Sequence, residues 1–268
     1  LKPHRIAVLS ALFICAATAS AETETPSDTS IDNLLKLKQN PVSGLRQVGL
    51  DVTLSPNVPV TGGTEASYST QIVWPFPLGE DWKVISYTIL PVLQVPLGNG
   101  DYEVGLGNTL LNFFVSPAKP DGKLVWGAGP AILIPTRTDP ILGSDRVGLG
   151  PSAVLYYAEE KWGAGVVLQN VWSLGGSGTN EVNAFAAQYF LNYNLPDGWF
   201  LYSNATISAD WLSPSSDRWT LPVGGGVGKI FTIGKQSASA SAQVLYNAVR
   251  PDNTPDWGVN FQLSLLFP

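Results

Sequence analysis

The stretch Val223-Gly224-Gly225-Gly226-Val227-Gly228-Lys229 comes nearest in this sequence to a phosphate-binding loop. Such loops need a leading glycine, a lysine for the phosphates and a Ser or Thr for magnesium. Here the leading glycine is missing and Ile230 stands in the Ser/Thr place. Gly105-Leu106-Gly107 lacks the third glycine and the βαβ setting of a dinucleotide site. Gly175-Gly176-Ser177-Gly178-Thr179 misses the last glycine of a nucleophile elbow. A serine nucleophile also needs a base, and the only imidazole is His4. Glu159-Glu160 precede Lys161 in a short turn and read as a solvated corner. No catalytic residue, metal site or cofactor is expected, and the chain does not read as an enzyme.

The elements that carry these residues are unusual in composition. Charged residues make up 13% of the 268, against roughly 25% in soluble domains. Lys2, His4 and Arg5, the apolar run Ile6 to Ala17 and the site Ala19-Ser20-Ala21 together predict a secretory signal peptide over residues 1–21. Cys15 is not a lipoprotein cysteine, because Ile14 before it is not small. Cleavage after Ala21 removes the only Cys and the only His, so the mature part forms no disulfide and offers no imidazole to a metal. Losing Lys2 and Arg5 from 15 basic residues leaves 13 against 21 acidic, a net charge of −8. That balance argues against nucleic acid as a partner.

No run of about 18 apolar residues follows the signal, which excludes helical membrane spans. Residues 22–43 read as a periplasmic tail with a short helix over Ile31 to Gln39, N-capped by Ser30. A plug entering a barrel is the sharper alternative. From residue 44 to 268 the pattern is one of strands, near 44–54, 67–76, 82–95, 104–116, 123–135, 146–157, 161–172, 182–194, 198–211, 218–231, 237–248 and 256–267. In the last segment Trp257, Val259, Phe261, Leu263, Leu265 and Phe267 share one face, while Gly258, Asn260, Gln262 and Ser264 share the other. A greasy face and an uncharged polar face with period two suit lipid outside and a lumen inside. Of the acidic residues only Asp51 and Asp210 fall clearly within strands, and a cationic charge facing mid-bilayer costs about 2–4 kcal/mol. Short and longer connections alternate, which places both termini on the periplasmic side. The expected fold is all-β, an antiparallel up-and-down transmembrane β-barrel of about 12 strands.

Alternation assigns Asn108, Asn112, Gln169, Gln188, Asn192, Asn204, Thr206, Gln243, Asn260 and Gln262 to the lumen. Asp210 and Arg218 flank one outer loop as candidates for a pore mouth. Trp82, Trp162, Trp172, Trp199, Trp211, Trp219 and Trp257 lie at strand ends, where interfacial tryptophans form aromatic girdles. A wall of amides without rings of charge suits small neutral or amphiphilic solutes better than ions. Pro91, Pro130, Pro151 and Pro222 interrupt strands, and glycines crowd 224–228. Barrel curvature accounts for them; a distorted wall with a side opening toward lipid is the functional alternative.

Asn40-Pro41-Val42, Glu80-Asp81-Trp82, Ile89-Leu90-Pro91-Val92, Phe114-Val115-Ser116-Pro117, Trp126-Gly127-Ala128-Gly129-Pro130, Asn170-Val171-Trp172-Ser173, Leu195-Pro196-Asp197-Gly198-Trp199 and the ending Leu265-Leu266-Phe267-Pro268 occur in that order. Together they resemble a family of uncharacterised bacterial outer-membrane barrels labelled as transporters. That family is similar to the outer-membrane proteins associated with phenol and aromatic degradation. The resemblance implies an outer-membrane location and carries no catalytic residue. It also implies lipid and lipopolysaccharide as partners, and recognition of the terminal Phe267 by the barrel-assembly machinery, with Pro268 as a departure. Three readings stay open: a passive channel for small neutral or aromatic solutes, a closed structural barrel, and a secreted soluble ligand-binding β-protein.

Overall fold

The computed structural model describes residues 30–119, 122–174 and 181–268. The expected signal peptide, the first residues of the tail and the Gly175–Thr179 motif lie outside the described residues. One helix, α1 (Ile31–Gln39), precedes thirteen strands: β1 (Arg46–Pro56), β2 (Thr64–Leu78), β3 (Trp82–Gly98), β4 (Asp101–Leu106), β5 (Thr109–Pro117), β6 (Leu124–Ile134), β7 (Gly148–Ala158), β8 (Trp162–Ser173), β9 (Asn183–Asn194), β10 (Trp199–Asp210), β11 (Trp219–Ile233), β12 (Gln236–Val249) and β13 (Trp257–Phe267). Every pairing is antiparallel. The chain runs up and down from β5 to β13, β13 pairs with β1, and β2 joins β1 to β3, so the sheet closes on itself. Closure removes the edges of the ring itself, while β4 pairs with β3 alone.

Twelve strand positions complete the ring, because β4 and β5 share one. β3 pairs with β5 over Trp82–Ile89 and with β4 over Val92–Gly98. The expected strand 104–116 is thus broken at Gly107-Asn108. The expected loop 96–103 is instead the tip of a hairpin. Asn99 and Gly100 turn it with φ of 56° and 84°, the conformation Asn-Gly adopts in two-residue hairpins. β2 starts earlier than expected and β4 is a separate strand, so the acidic Glu65, Asp101 and Glu103 join Asp51 and Asp210 within strands; the cationic Arg46, Lys83 and Lys229 also lie in them, mostly near ends.

Side chains alternate as the pleat requires. Leu50, Leu90, Leu155, Leu191, Leu201, Leu263 and Leu265 are exposed on the outer face. All nine tryptophans are between 37% and 45% exposed on the same face. Trp74, Trp82, Trp126, Trp162 and Trp199 ring the end that carries the termini; Trp172, Trp211, Trp219 and Trp257 ring the other. Trp82 and Trp126 meet edge to face at 6.1 Å, as do Trp211 and Trp219 at 5.6 Å. Arg46 lies over Trp74 and Lys229 over Trp199, which places cations beside rings at the terminal belt.

Candidate functional site

The inward faces of the strands build the lumen, and two chemistries divide it. Across β9, β10, β12, β13 and β1 runs an inward belt of amides, interleaved with Phe190, Phe200, Tyr202 and Leu266. Gln188 donates to Asn204 Oδ1 at 3.0 Å, and Gln243 Nε2 reaches Asn260 Oδ1 at 3.3 Å. Asn260 Nδ2 donates to Asp51 Oδ1 at 2.8 Å, and Gln262 Nε2 donates to Asp51 Oδ2 at 2.7 Å. The Asp51 carboxylate is held by amides and by Thr53 rather than by a cation. On β3 and β5 to β9 the inward side chains pack instead. Ile85, Phe114, Val125, Val154, Tyr156, Val167 and Phe190 form one buried cluster with Val42. Tyr156 and Phe190 stack at 5.8 Å.

Between the two sides, toward the terminal end, lies a cavity of about 150 Å³. Gln47, Gln71, Gln188, Asn192, Asn204 and Gln262 line it together with the aromatic and apolar Tyr87, Phe114, Val167, Phe190, Phe200 and Tyr202. A void of ~150 Å³ in an apolar core takes one benzene ring. The lumen is therefore amphiphilic at the scale of a single ring.

Helix α1 closes this end. Ser30 Oγ accepts from the Asn33 N–H at 3.3 Å and starts the helix, and Lys36 and Lys38 sit in its last turn, where they suit the helix dipole. Its leucines Leu34 and Leu35 pack with Leu45 against Phe200, Tyr202, Ile230 and Leu266, all inward-facing residues of the barrel. Each such leucine contributes about 1.5–3 kcal/mol of burial. Gln39 donates to Asn194 at 2.7 Å. Lys38 lies 5.3 Å from the Phe200 ring and borders the cavity, and burial lowers its pKa to about 8. The residues 31–39 thus dock in the barrel end rather than hanging free of it.

The opposite end is narrowed by the connection 135–147. Its 3-10 turn at Pro140–Leu142 packs on β3 and β4. A side chain at Gly105 would strike Thr138 and crowd Leu142, so the glycine makes room for this inward fold. The loop also mends the break between β4 and β5. Thr136 Oγ1 accepts from the Thr109 N–H at 2.9 Å and donates to the Gly107 carbonyl at 2.7 Å.

Nine of the ten expected lumen amides and hydroxyls fall on the inward register: Asn112, Gln169, Gln188, Asn192, Asn204, Thr206, Gln243, Asn260 and Gln262. Asn108 sits in the break, beside Gly143 of the inward loop. Asn112 is buried in the apolar half, where its Oδ1 has no hydrogen-bond partner. Asp210 and Arg218 share a depression of about 300 Å³ at the outer rim, but they do not pair with each other through their side chains. Asp210 accepts from the Leu212 N–H and from Ser213 Oγ, while Arg218 donates to the Ser213 carbonyl and lies over Trp211. Glu159 is held by Lys123 at 2.7 Å and by Tyr157, and these bonds keep its carboxyl below its ordinary pKa. It is not a poised acid. Among the described residues no three His, Cys, Asp or Glu side chains gather where they could hold a metal.

Sequence reasoning missed the apolar half of the lumen and two tryptophans, Trp74 and Trp126. The signal was there: Phe114 is two residues from Asn112, and Phe190 lies between Gln188 and Asn192 on the same face.

With this geometry in hand, the nearest comparisons are structural. No family description matches the chain, and no curated protein matches it. The crystal structure of an outer-membrane channel from Pseudomonas putida F1 superposes with a TM-score of 0.64, covering 83% of this chain and 95% of that one at 17% identity. The fold is that of an outer-membrane barrel. The NanC porin aligns over 83% of this chain and 99% of its own at 11% identity, with a TM-score of 0.47. Outer membrane phospholipase A of Escherichia coli aligns over 89% and 96% at 14% identity, also with a TM-score of 0.47.

Proposed function

We propose that this chain is a passive outer-membrane channel for small neutral, amphiphilic or aromatic solutes. The observation that carries the reading is the mixed lumen, in which aromatics and amides together line a cavity sized for one ring. A ring buries apolar area on one side while a hydroxyl or carbonyl on it meets amides that both donate and accept. The outer face supports a membrane setting, because leucines fill a band between two tryptophan belts. The fold shared with the Pseudomonas putida channel points the same way. The lumen carries amides where an esterase would need an activated nucleophile, so no enzymatic role is proposed. In this reading residues 1–21 are cleaved on export, both termini face the periplasm, lipid and lipopolysaccharide surround the band, and the β13 strand ending in Phe267 is what the assembly machinery reads.

The test is purified protein in liposomes and planar bilayers. Uptake of a neutral single-ring solute such as phenol, above protein-free vesicles, is expected. Absence of both solute uptake and conductance would overturn the channel reading. It would favour a closed structural barrel, for which the docked helix α1 and the self-satisfied amide belt are the supporting observations.

A further inference from the structure

The strands supply the ring-sized cavity with amides and rings, and the docking of α1 adds a charge. Lys38 leaves the last turn of the helix and borders the cavity. Among the described residues that line it, Lys38 is the only charged one. Its ammonium takes part in no hydrogen bond or ion pair among the described residues. It lies over the Phe200 ring, 5.3 Å from the centroid. The carboxylate of the lumen, Asp51, does not pair with it, because Asn260, Gln262 and Thr53 hold that group. An ammonium away from water is costly unless something pairs with it. The C-terminal dipole of α1 offers only about half a unit of charge. Lys36, on the same helix, lies in a depression beside Glu159 and Glu160 that meets the cavity only at Gln39.

The rest of the wall indicates what would pair with Lys38. Tyr87 Oη donates to Gln71 Oε1 at 3.2 Å, and Gln188 Nε2 donates to Asn204 Oδ1 at 3.0 Å, so these acceptors are occupied. The amide N–H groups of Gln47, Gln71 and Asn192 meet no acceptor among the described residues. The cavity therefore offers a cation and amide donors beside Phe114, Phe190 and Phe200. A hydroxyl needs an acceptor for its own proton, whereas a carboxylate only accepts. A void of this size takes one ring.

We propose that the cavity is a binding site for single-ring carboxylates, with the carboxylate on Lys38 and the free amide donors and the ring among Phe114, Phe190 and Phe200. The proposal rests on the channel reading and names an anionic solute that the strands alone would not select. The site exists only while α1 is docked, so ligand and helix stabilise each other: the anion compensates the buried ammonium and thereby holds the helix down. An anion at Lys38 also lifts its lowered pKa of about 8, so binding near that pH takes up a proton. Tyr87 and Tyr202 are the other titratable groups on the cavity wall.

The test is calorimetry of benzoate and phenol with the protein in lipid nanodiscs, empty nanodiscs subtracted and the heat-dependent gel shift checking the fold. At pH 8 benzoate is expected to bind with uptake of about half a proton, read from two buffers of different ionisation heat. Lys38→Met is expected to weaken benzoate about tenfold more than phenol, as loss of one charge-assisted hydrogen bond would, and to abolish the proton uptake. Lys38→Arg keeps the charge without a titration near pH 8, so it is expected to bind benzoate better than Lys38→Met and to take up no proton. Absence of benzoate binding to the unaltered protein, or an equal loss of both ligands in Lys38→Met, overturns the site. Proton uptake that persists in Lys38→Arg overturns Lys38 as the counter-ion. Liposome uptake of the same two solutes separates the site from the channel. Phenol uptake without benzoate binding overturns the site and leaves the channel reading intact. Benzoate binding with uptake of neither solute keeps the site and overturns the channel reading.

Discussion

From β9 round through β12 and β13 to β1, the inward side chains include a belt of amides held together by hydrogen bonds. From β3 round through β5 to β8, they hold one another by packing. The first half satisfies a carboxylate, Asp51, with amides from β13. Unpartnered buried atoms occur in both halves: Asn112 Oδ1 and Ser152 Oγ in the second, Ser239 Oγ in the first. The difference teaches where this barrel is built to be stable and where it is built to receive something. Helix α1 adds a third element, lying at the foot of the polar half on Phe200, Tyr202, Ile230 and Leu266.

The plug gives the largest expected effect. Leu34→Glu with Leu35→Glu removes burial of about 1.5–3 kcal/mol at each site and puts charge against Phe200 and Ile230. Single-channel conductance should rise several-fold with the heat-shifted band retained; an unchanged conductance would mean that α1 does not close the end. In the packed half, Phe114→Ala should cost about 3–5 kcal/mol in urea unfolding from vesicles, the usual range for emptying a buried aromatic site. In the bonded half, Asn260→Leu removes the donor to Asp51 and the acceptor for Gln243 and should cost about 1–3 kcal/mol. The matching change across the lumen, Asn112→Leu, removes an unpartnered amide and should be close to neutral. If Asn260→Leu and Asn112→Leu shift the unfolding midpoint equally, the two halves do not differ as described.

The smallest effect is one of pH. Lys38 has its pKa lowered to about 8 by burial, against 10.5 in the open chain. Released α1 therefore binds more protons than docked α1 between those values, so docking strengthens as pH rises through that window. Below pH 8 the ammonium is charged in both states and its burial weighs against docking in full. Open-channel probability should fall modestly between pH 7.5 and pH 10, and Lys38→Met should abolish that slope. A slope that persists in the variant assigns it to another group.

The outer surface was legible because lipid imposes a rule on every strand. Leu263, Leu265 and Phe267 alternate with Gln262, Ser264 and Leu266, and only one register keeps the polar set out of hydrocarbon. The same rule placed Gln188, Asn204 and Gln243 in the lumen. It was silent on Phe114 and Phe190, because an apolar residue on an inward face breaks the alternation without saying what it packs against. It was silent too on Gly107-Asn108, where one strand becomes two, since the break is sustained by Thr136 from a loop nearly thirty residues away.

The sequence by itself determined the period of the strands and their approximate number, because these follow from residue type and spacing alone. Only the tertiary structure decided which strands meet across the lumen, that α1 docks in the barrel end, and that the run Pro222–Gly226 yields a gap on the β10 side rather than a smooth bend. Those outcomes depend on what lies opposite a residue after closure. Gln243 and Asn204, 39 positions apart, become partners only when β11 leans onto β12 and lets one side chain reach past it.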